Sequence, residues 1–174
     1  MLIFLLGFMG SGKSHCGKKI AVKMNLSFID LDEEIEKAEK KSISTVFAED
    51  GEIKFRKIES DLLRTIVHKH VLDKNGIGAV VACGGGTPCF HDNMDFMNKH
   101  GLTVWLNPPI QVLANRLKKE QDHRPLVAGL TEDQLENFIA VKLSEREAFY
   151  NKAMLQMNNS ECSIDLIEKK LKNG

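Results

Sequence analysis

Leu2-Ile3-Phe4-Leu5-Leu6-Gly7-Phe8-Met9-Gly10-Ser11-Gly12-Lys13-Ser14 is the stretch that decides the fold. Its first five residues form an unbroken apolar run, which predicts a strand buried on both faces in the middle of a parallel sheet. Gly7 to Ser14 then fits GxxxxGK followed by serine, between a predicted strand and a predicted helix. The glycines permit a backbone arc that aims N–H groups inward, and the helix start adds partial positive charge, so the loop suits phosphate. Lys13 adds a point charge for the terminal phosphates, and the Ser14 hydroxyl can ligate Mg²⁺. The implied ligand is a nucleoside triphosphate. Asn98-Lys99-His100-Gly101 lacks the aspartate of the NKxD pattern that reads guanine, so ATP is preferred to GTP.

The remaining chain alternates between periods. Helix-compatible stretches cover 13–23, 33–41, 44–50, 52–69, 93–99, 110–119 and 163–172, while 26–29, 77–82, 103–106 and 153–157 read as further strands. Thr131-Glu132-Asp133-Gln134 has capping-box spacing and opens a helix to about Asn151. Charge-dense residues before Pro125 and Gly129 mark about 120–130 as an exposed, mobile segment, a candidate lid. Five strands interleaved with helices predict a three-layer α/β/α fold around a five-stranded parallel sheet, whose ligands sit at the carboxyl ends of the strands.

Composition narrows the class. A length of 174 residues suits a single domain, 1–174, and 43% hydrophobic residues can build a core. Basic and acidic residues number 24 each, so no net field favours nucleic acid or an anionic membrane. Cys16, Cys83, Cys89 and Cys162 show neither zinc spacing nor a disulfide framework, so no bridge and a reducing cytoplasm are expected. Residues 2–6 lack the basic leader of a signal peptide, and no run is long enough to span a bilayer.

Phe28-Ile29-Asp30-Leu31-Asp32 ends the second strand with carboxylates two apart, which predicts that both face the crevice of the phosphate loop. The rival reading of Asp32-Glu33-Glu34 is a helix start. Asp30 suits the metal shell, and Asp32 suits orienting or deprotonating an acceptor hydroxyl. Arginine occurs only at Arg56, Arg64, Arg116, Arg124 and Arg146, each a candidate for bidentate recognition of an anion. Gly84-Gly85-Gly86 after a buried strand permits close backbone approach to a ligand.

Six segments in register, GFMGSGKS, FIDLD, FRKIE, CGGGT, HRPL and EREAFY, resemble shikimate kinase over about 2–150. The resemblance implies a nucleoside-monophosphate-kinase-like P-loop fold and transfer of the ATP γ-phosphoryl group to the 3-hydroxyl of shikimate, in aromatic amino-acid synthesis by way of chorismate. It also implies that Gly10, Ser11, Gly12, Lys13, Ser14 and His15 hold ATP, with Ser14 and Asp30 at Mg²⁺. Asp32, Arg56, Gly85 and Arg146 would hold shikimate. Arg116 would lie by the adenine, and Arg124 would reach the phosphates from the lid. Lys13, Asp32 and Arg124 are the catalytic candidates. His15 and Thr87 depart from the family's usual residues, adenine contacts near 158–163 stay unassigned, and Arg64 is expected on the surface. A cytoplasmic monomer without nucleic-acid or membrane partners is expected. The alternatives are another small-molecule kinase, such as a gluconate kinase, and a non-catalytic nucleotide switch.

Overall fold

The computed structural model of the chain describes residues 1–72, 76–120, 127–159 and 162–173. Five strands, β1 (Leu2–Leu6), β2 (Ser27–Asp30), β3 (Ala79–Ala82), β4 (Leu102–Leu106) and β5 (Leu155–Met157), form a parallel sheet in the order β2-β3-β1-β4-β5. Seven helices accompany them among the described residues: α1 (Lys13–Met24), α2 (Leu31–Glu39), α3 (Ile43–Leu72), α4 (Asn93–His100), α5 (Ile110–Lys118), α6 (Glu132–Tyr150) and α7 (Ile164–Asn173).

The apolar run at the start of the chain is the middle strand, and all five of its residues are buried. Alternation sends Leu2, Phe4 and Leu6 to one face, where they meet residues of α2, α3 and α4 and Tyr150, and sends Ile3 and Leu5 to the other, against α1 and α7. Each such side chain contributes about 1.5–3 kcal/mol by leaving water. Phe8 leaves the sheet and packs on Leu113, Leu117, Leu135 and Ile139 of α5 and α6, which fixes these helices beside the phosphate loop.

Local sequence explains the helix boundaries. The Asp30 carboxylate accepts from the Asp32 amide at 3.2 Å and caps α2, so the helix begins two residues before its predicted start. Asp32 therefore lies in the first turn of α2 rather than on the strand, which makes the helix-start reading correct for its backbone. Gly51, at φ 78° and ψ 168°, breaks α3 into the two helices that the sequence predicts there. The Thr131–Gln134 capping box is present, with Thr131 N–H donating to Gln134 Oε1 at 2.9 Å. Ile77 lies outside β3 and is exposed.

One expectation fails outright. Cys16 of α1 and Cys162, between β5 and α7, form a disulfide with Cα atoms 5.6 Å apart across 146 residues of sequence. Both cysteines belong to the cluster under α1 and α7, so tertiary packing brings them together where no sequence spacing marks the pair. Arg64 also departs from its predicted surface position. It is half-buried, donates to Asn93 Oδ1 at 2.7 Å and to the His91 carbonyl at 2.8 Å, and lies 4.7 Å from the Phe96 ring centroid, joining α3 to α4. Among the described residues, no helix is long and apolar enough to cross a membrane. The predicted lid falls largely on 121–126, outside the described residues.

Candidate active site

The carboxyl ends of β1, β2, β3 and β4 converge on one cavity of about 560 Å³. The loop after β1 supplies Gly10, Ser11, Gly12, Lys13, Ser14 and His15, the β2–α2 junction supplies Asp30 and Asp32, the loop after β3 supplies Gly85, and α5 supplies Arg116. This is where an open parallel sheet gathers ligands, because the chain leaves β1 in one direction and its neighbours in the other.

The phosphate loop is held by backbone that only glycine takes without strain. Gly12 sits at φ 94° as the N-cap of α1, and it has no side chain to satisfy the first amides, which leaves them for an anion. A side chain at Gly7, φ 140°, would collide with the Leu106 carbonyl on the neighbouring strand. Lys13 Nζ donates to the Gly7 and Phe8 carbonyls at 2.9 and 3.0 Å, bending over the loop. Arg116 Nη1 donates to the Gly10 carbonyl at 3.0 Å from the other side.

Ser14 Oγ donates to Asp30 Oδ2 at 2.6 Å, so a hydroxyl and a carboxylate present hard oxygen donors side by side. That donor set fits Mg²⁺, which takes few protein ligands and completes its shell with phosphate and water. Among the described residues, no group of three or more His, Cys, Asp and Glu side chains forms a denser metal cage. Asp32 lies close by. It opens onto solvent in the cleft but is crowded by protein on its other sides, and this crowding, then the Glu59 and Asp30 carboxylates, push its pKa up from 3.8 to about 6 against the opposing pull of Lys13 and Arg56.

The three glycines after β3 each lie beneath a charged side chain. A Cβ on Gly84 would stand 2.7 Å from Glu59 Oε1 and 3.0 Å from Asp32 Oδ1. One on Gly85 would stand 3.0 Å from Arg146 Nη1, and one on Gly86 would stand 2.5 Å from Arg56 Nη2. The glycine run therefore makes room for two guanidinium groups and two carboxylates on one short loop. The Tyr150 hydroxyl donates to the Gly85 carbonyl at 2.6 Å and braces it, and burial pushes that phenol up to about 12.

Arg56 is 9% exposed, with its guanidinium 4.6 Å from the Phe90 ring centroid and 5.0 Å from that of Phe55. Its Nη1 donates to Glu59 Oε2 at 2.9 Å. Sequence reasoning passed over Glu59, Thr87 and Tyr150 as parts of this site. The position of Glu59, three residues after Arg56 on a helix, was the signal available for it. Arg124 lies outside the described residues. Asn159 and Cys162, from the stretch between β5 and α7, also line the cavity.

Comparison with known proteins bears on this geometry. The family model for shikimate kinase matches residues 9–172. A shikimate kinase of Azobacteroides pseudotrichonymphae is 43% identical over 153 residues, 88% of this chain and 86% of the relative. The crystal structure of shikimate kinase from Bacteroides thetaiotaomicron superposes with a TM-score of 0.84 at 38% identity, covering 99% of this chain and 95% of that one. Shikimate kinase from Acinetobacter baumannii, solved in complex with shikimate, gives 0.80 at 28% identity, covering 99% and 91%. With a sheet, a phosphate loop and an acidic-basic crevice of this kind, matched over nearly its whole length, the chain belongs to the shikimate kinase family.

Proposed function

We propose that the chain transfers the γ-phosphoryl group of ATP to the 3-hydroxyl of shikimate, giving shikimate 3-phosphate and ADP on the route to chorismate and the aromatic amino acids. Family membership favours this over a gluconate kinase or a silent nucleotide switch. The observation that carries the acceptor assignment is the loop of Gly84, Gly85 and Gly86, where Gly84 lies by Glu59 and Asp32, Gly85 lies by Arg146 and by Gly7 and Met9 of the phosphate loop, and Gly86 lies by Arg56. Two guanidinium groups suit one carboxylate, and a carboxylate at the other end suits hydroxyls.

In this reading Arg56 and Arg146 pair with the substrate carboxylate, and Gly85 admits the ring close to the backbone. Asp32 accepts a hydrogen bond from the reacting hydroxyl. As that oxygen attacks the γ-phosphorus, the proton passes to the Asp32 carboxylate and the bond to the β-phosphate oxygen breaks, releasing ADP. Gly10 to His15 hold the triphosphate, Lys13 neutralises charge on the group in transfer, and Arg116 lies on the adenine side. Ser14 and Asp30 would hold Mg²⁺, which when bound neutralises phosphate charge. Arg124 in the 120–130 segment would add a further positive charge over the phosphates. We assign this work to a single domain, 1–174, acting as a monomer on ATP and shikimate alone.

Calorimetric titration with shikimate tests the reading directly. Arg56→Ala should weaken binding by about 1.5–3 kcal/mol, the worth of a hydrogen bond to a charged group. Unchanged affinity would make the carboxylate assignment wrong.

A further inference from the structure

Thr87 follows the three glycines at the start of a short 3₁₀ turn, Thr87–Cys89, and is completely buried. A buried hydroxyl is costly unless it is bonded. This one donates to Glu59 Oε1 at 2.5 Å, and the other oxygen of the same carboxylate accepts from Arg56 Nη1 at 2.9 Å. Glu59 has no exposed surface. Two hydrogen bonds through one buried carboxylate therefore link Thr87 to the guanidinium that faces the acceptor.

Arg56 has a second carboxylate within reach. Its Nε and Nη2 each lie 3.2 Å from Glu52 Oε1, and the Glu52 side chain is 57% exposed. The guanidinium thus stands between a buried partner that holds it over Gly86 and a solvated one that draws it out. Which partner prevails depends on how firmly Glu59 is fixed. Glu59 Oε1 also faces Asp32 across Gly84, since a Cβ there would stand within 2.7 and 3.0 Å of the two carboxylates. A hydrogen donated to that oxygen offsets the repulsion between them, and Thr87 donates it.

The backbone of Thr87 is secured separately. Its carbonyl accepts from Asn93 Nδ2 at 3.0 Å, and Asn93 Oδ1 in turn accepts from Ser60 Oγ at 2.9 Å and from Arg64 at 2.7 Å. Loss of the hydroxyl therefore leaves the loop anchored while Glu59 loses its second fixed bond.

We propose that Thr87 is a positioning residue whose hydroxyl fixes Glu59, and through it Arg56, so that it sets affinity for the acidic acceptor without touching affinity for nucleotide. The proposal rests on the reading in which Arg56 takes the substrate carboxylate. Steady-state kinetics of Thr87→Val, Thr87→Ser and Arg56→Ala test it, with thermal melts to establish folding and Thr87→Ala in place of valine if the valine variant does not fold. Thr87→Val should raise the KM for shikimate about tenfold, the loss of one hydrogen bond to a charged group, and leave the KM for ATP within about twofold. Thr87→Ser, which keeps the hydroxyl, should restore the shikimate KM to within about threefold of wild type. In a Glu59→Gln background, Thr87→Val should add less than about twofold, because its target is already altered. Equal impairment by valine and serine overturns the proposal, as does an effect shared equally by both KM values. An impaired Arg56→Ala beside an unimpaired Thr87→Val overturns it alone. Arg56→Ala with an unchanged shikimate KM overturns the carboxylate reading and this proposal together.

Discussion

Replacing Asp32 with Asn should cost activity and add stability, and the size of the gain follows from the surroundings of the side chain. Protein crowding and the nearby Glu59 and Asp30 carboxylates raise its pKa from 3.8 to about 6. A raised carboxyl pKa means that the folded protein resists ionisation. Below about pH 4 the group is neutral in both folded and unfolded chains and no penalty exists, whereas the penalty grows as pH rises and is complete above about 6. Taken at face value the gap is worth about 3 kcal/mol. Asp32 is open to water in the cleft, which screens its neighbours, so about 1 kcal/mol remains. Asparagine keeps the shape and removes the charge, and its backbone N–H still donates to Asp30. Urea unfolding at pH 7.5 should therefore find Asp32→Asn more stable by about 1 kcal/mol, with a Tm about 2–4 °C higher, and the two curves should converge near pH 4. Turnover with shikimate should fall by about 10²-fold or more if this carboxylate receives the proton. A stability difference that is the same at both pH values, or of opposite sign at pH 7.5, would refute the electrostatic account.

Three further outcomes are expected. Lys13→Ala should abolish turnover, a loss of about 10²-fold or more, in a coupled ADP-release assay; full activity would remove Lys13 from the reaction. Gly86→Ala should raise the shikimate KM about tenfold, because the added methyl would stand 2.5 Å from Arg56 Nη2 at a backbone angle, φ −95°, that alanine adopts freely. An unaltered KM would mean that Arg56 does not need its place over the loop. Thiol titration of the denatured protein without reductant should count two thiols, Cys83 and Cys89, and reduction or Cys16→Ser should lower stability by up to about 4–5 kcal/mol in the chain-entropy account of a loop this long. Four reactive thiols would mean that the bridge does not form.

Much of this molecule is legible in its sequence. The run at 2–6 reads as an interior strand, because five consecutive apolar side chains suit cover on both sides, and GxxxxGKS between strand and helix points to a phosphate cradle. The break at Gly51 and the Thr131–Gln134 capping box were local signals, read from neighbouring residues. Glycines 84–86 announced a close approach without saying of what.

The order of strands, the bond between Cys16 and Cys162, and the anchoring parts of Arg64, Glu59, Thr87 and Tyr150 came only with the tertiary structure. Apart from the Arg56–Glu59 pair, three residues apart on one helix, each depends on segments far apart in the chain, so neither periodicity nor spacing can carry it. Local physics determined where the elements start, stop and bury a face, whereas the packing of those elements decided which charge lies over which glycine.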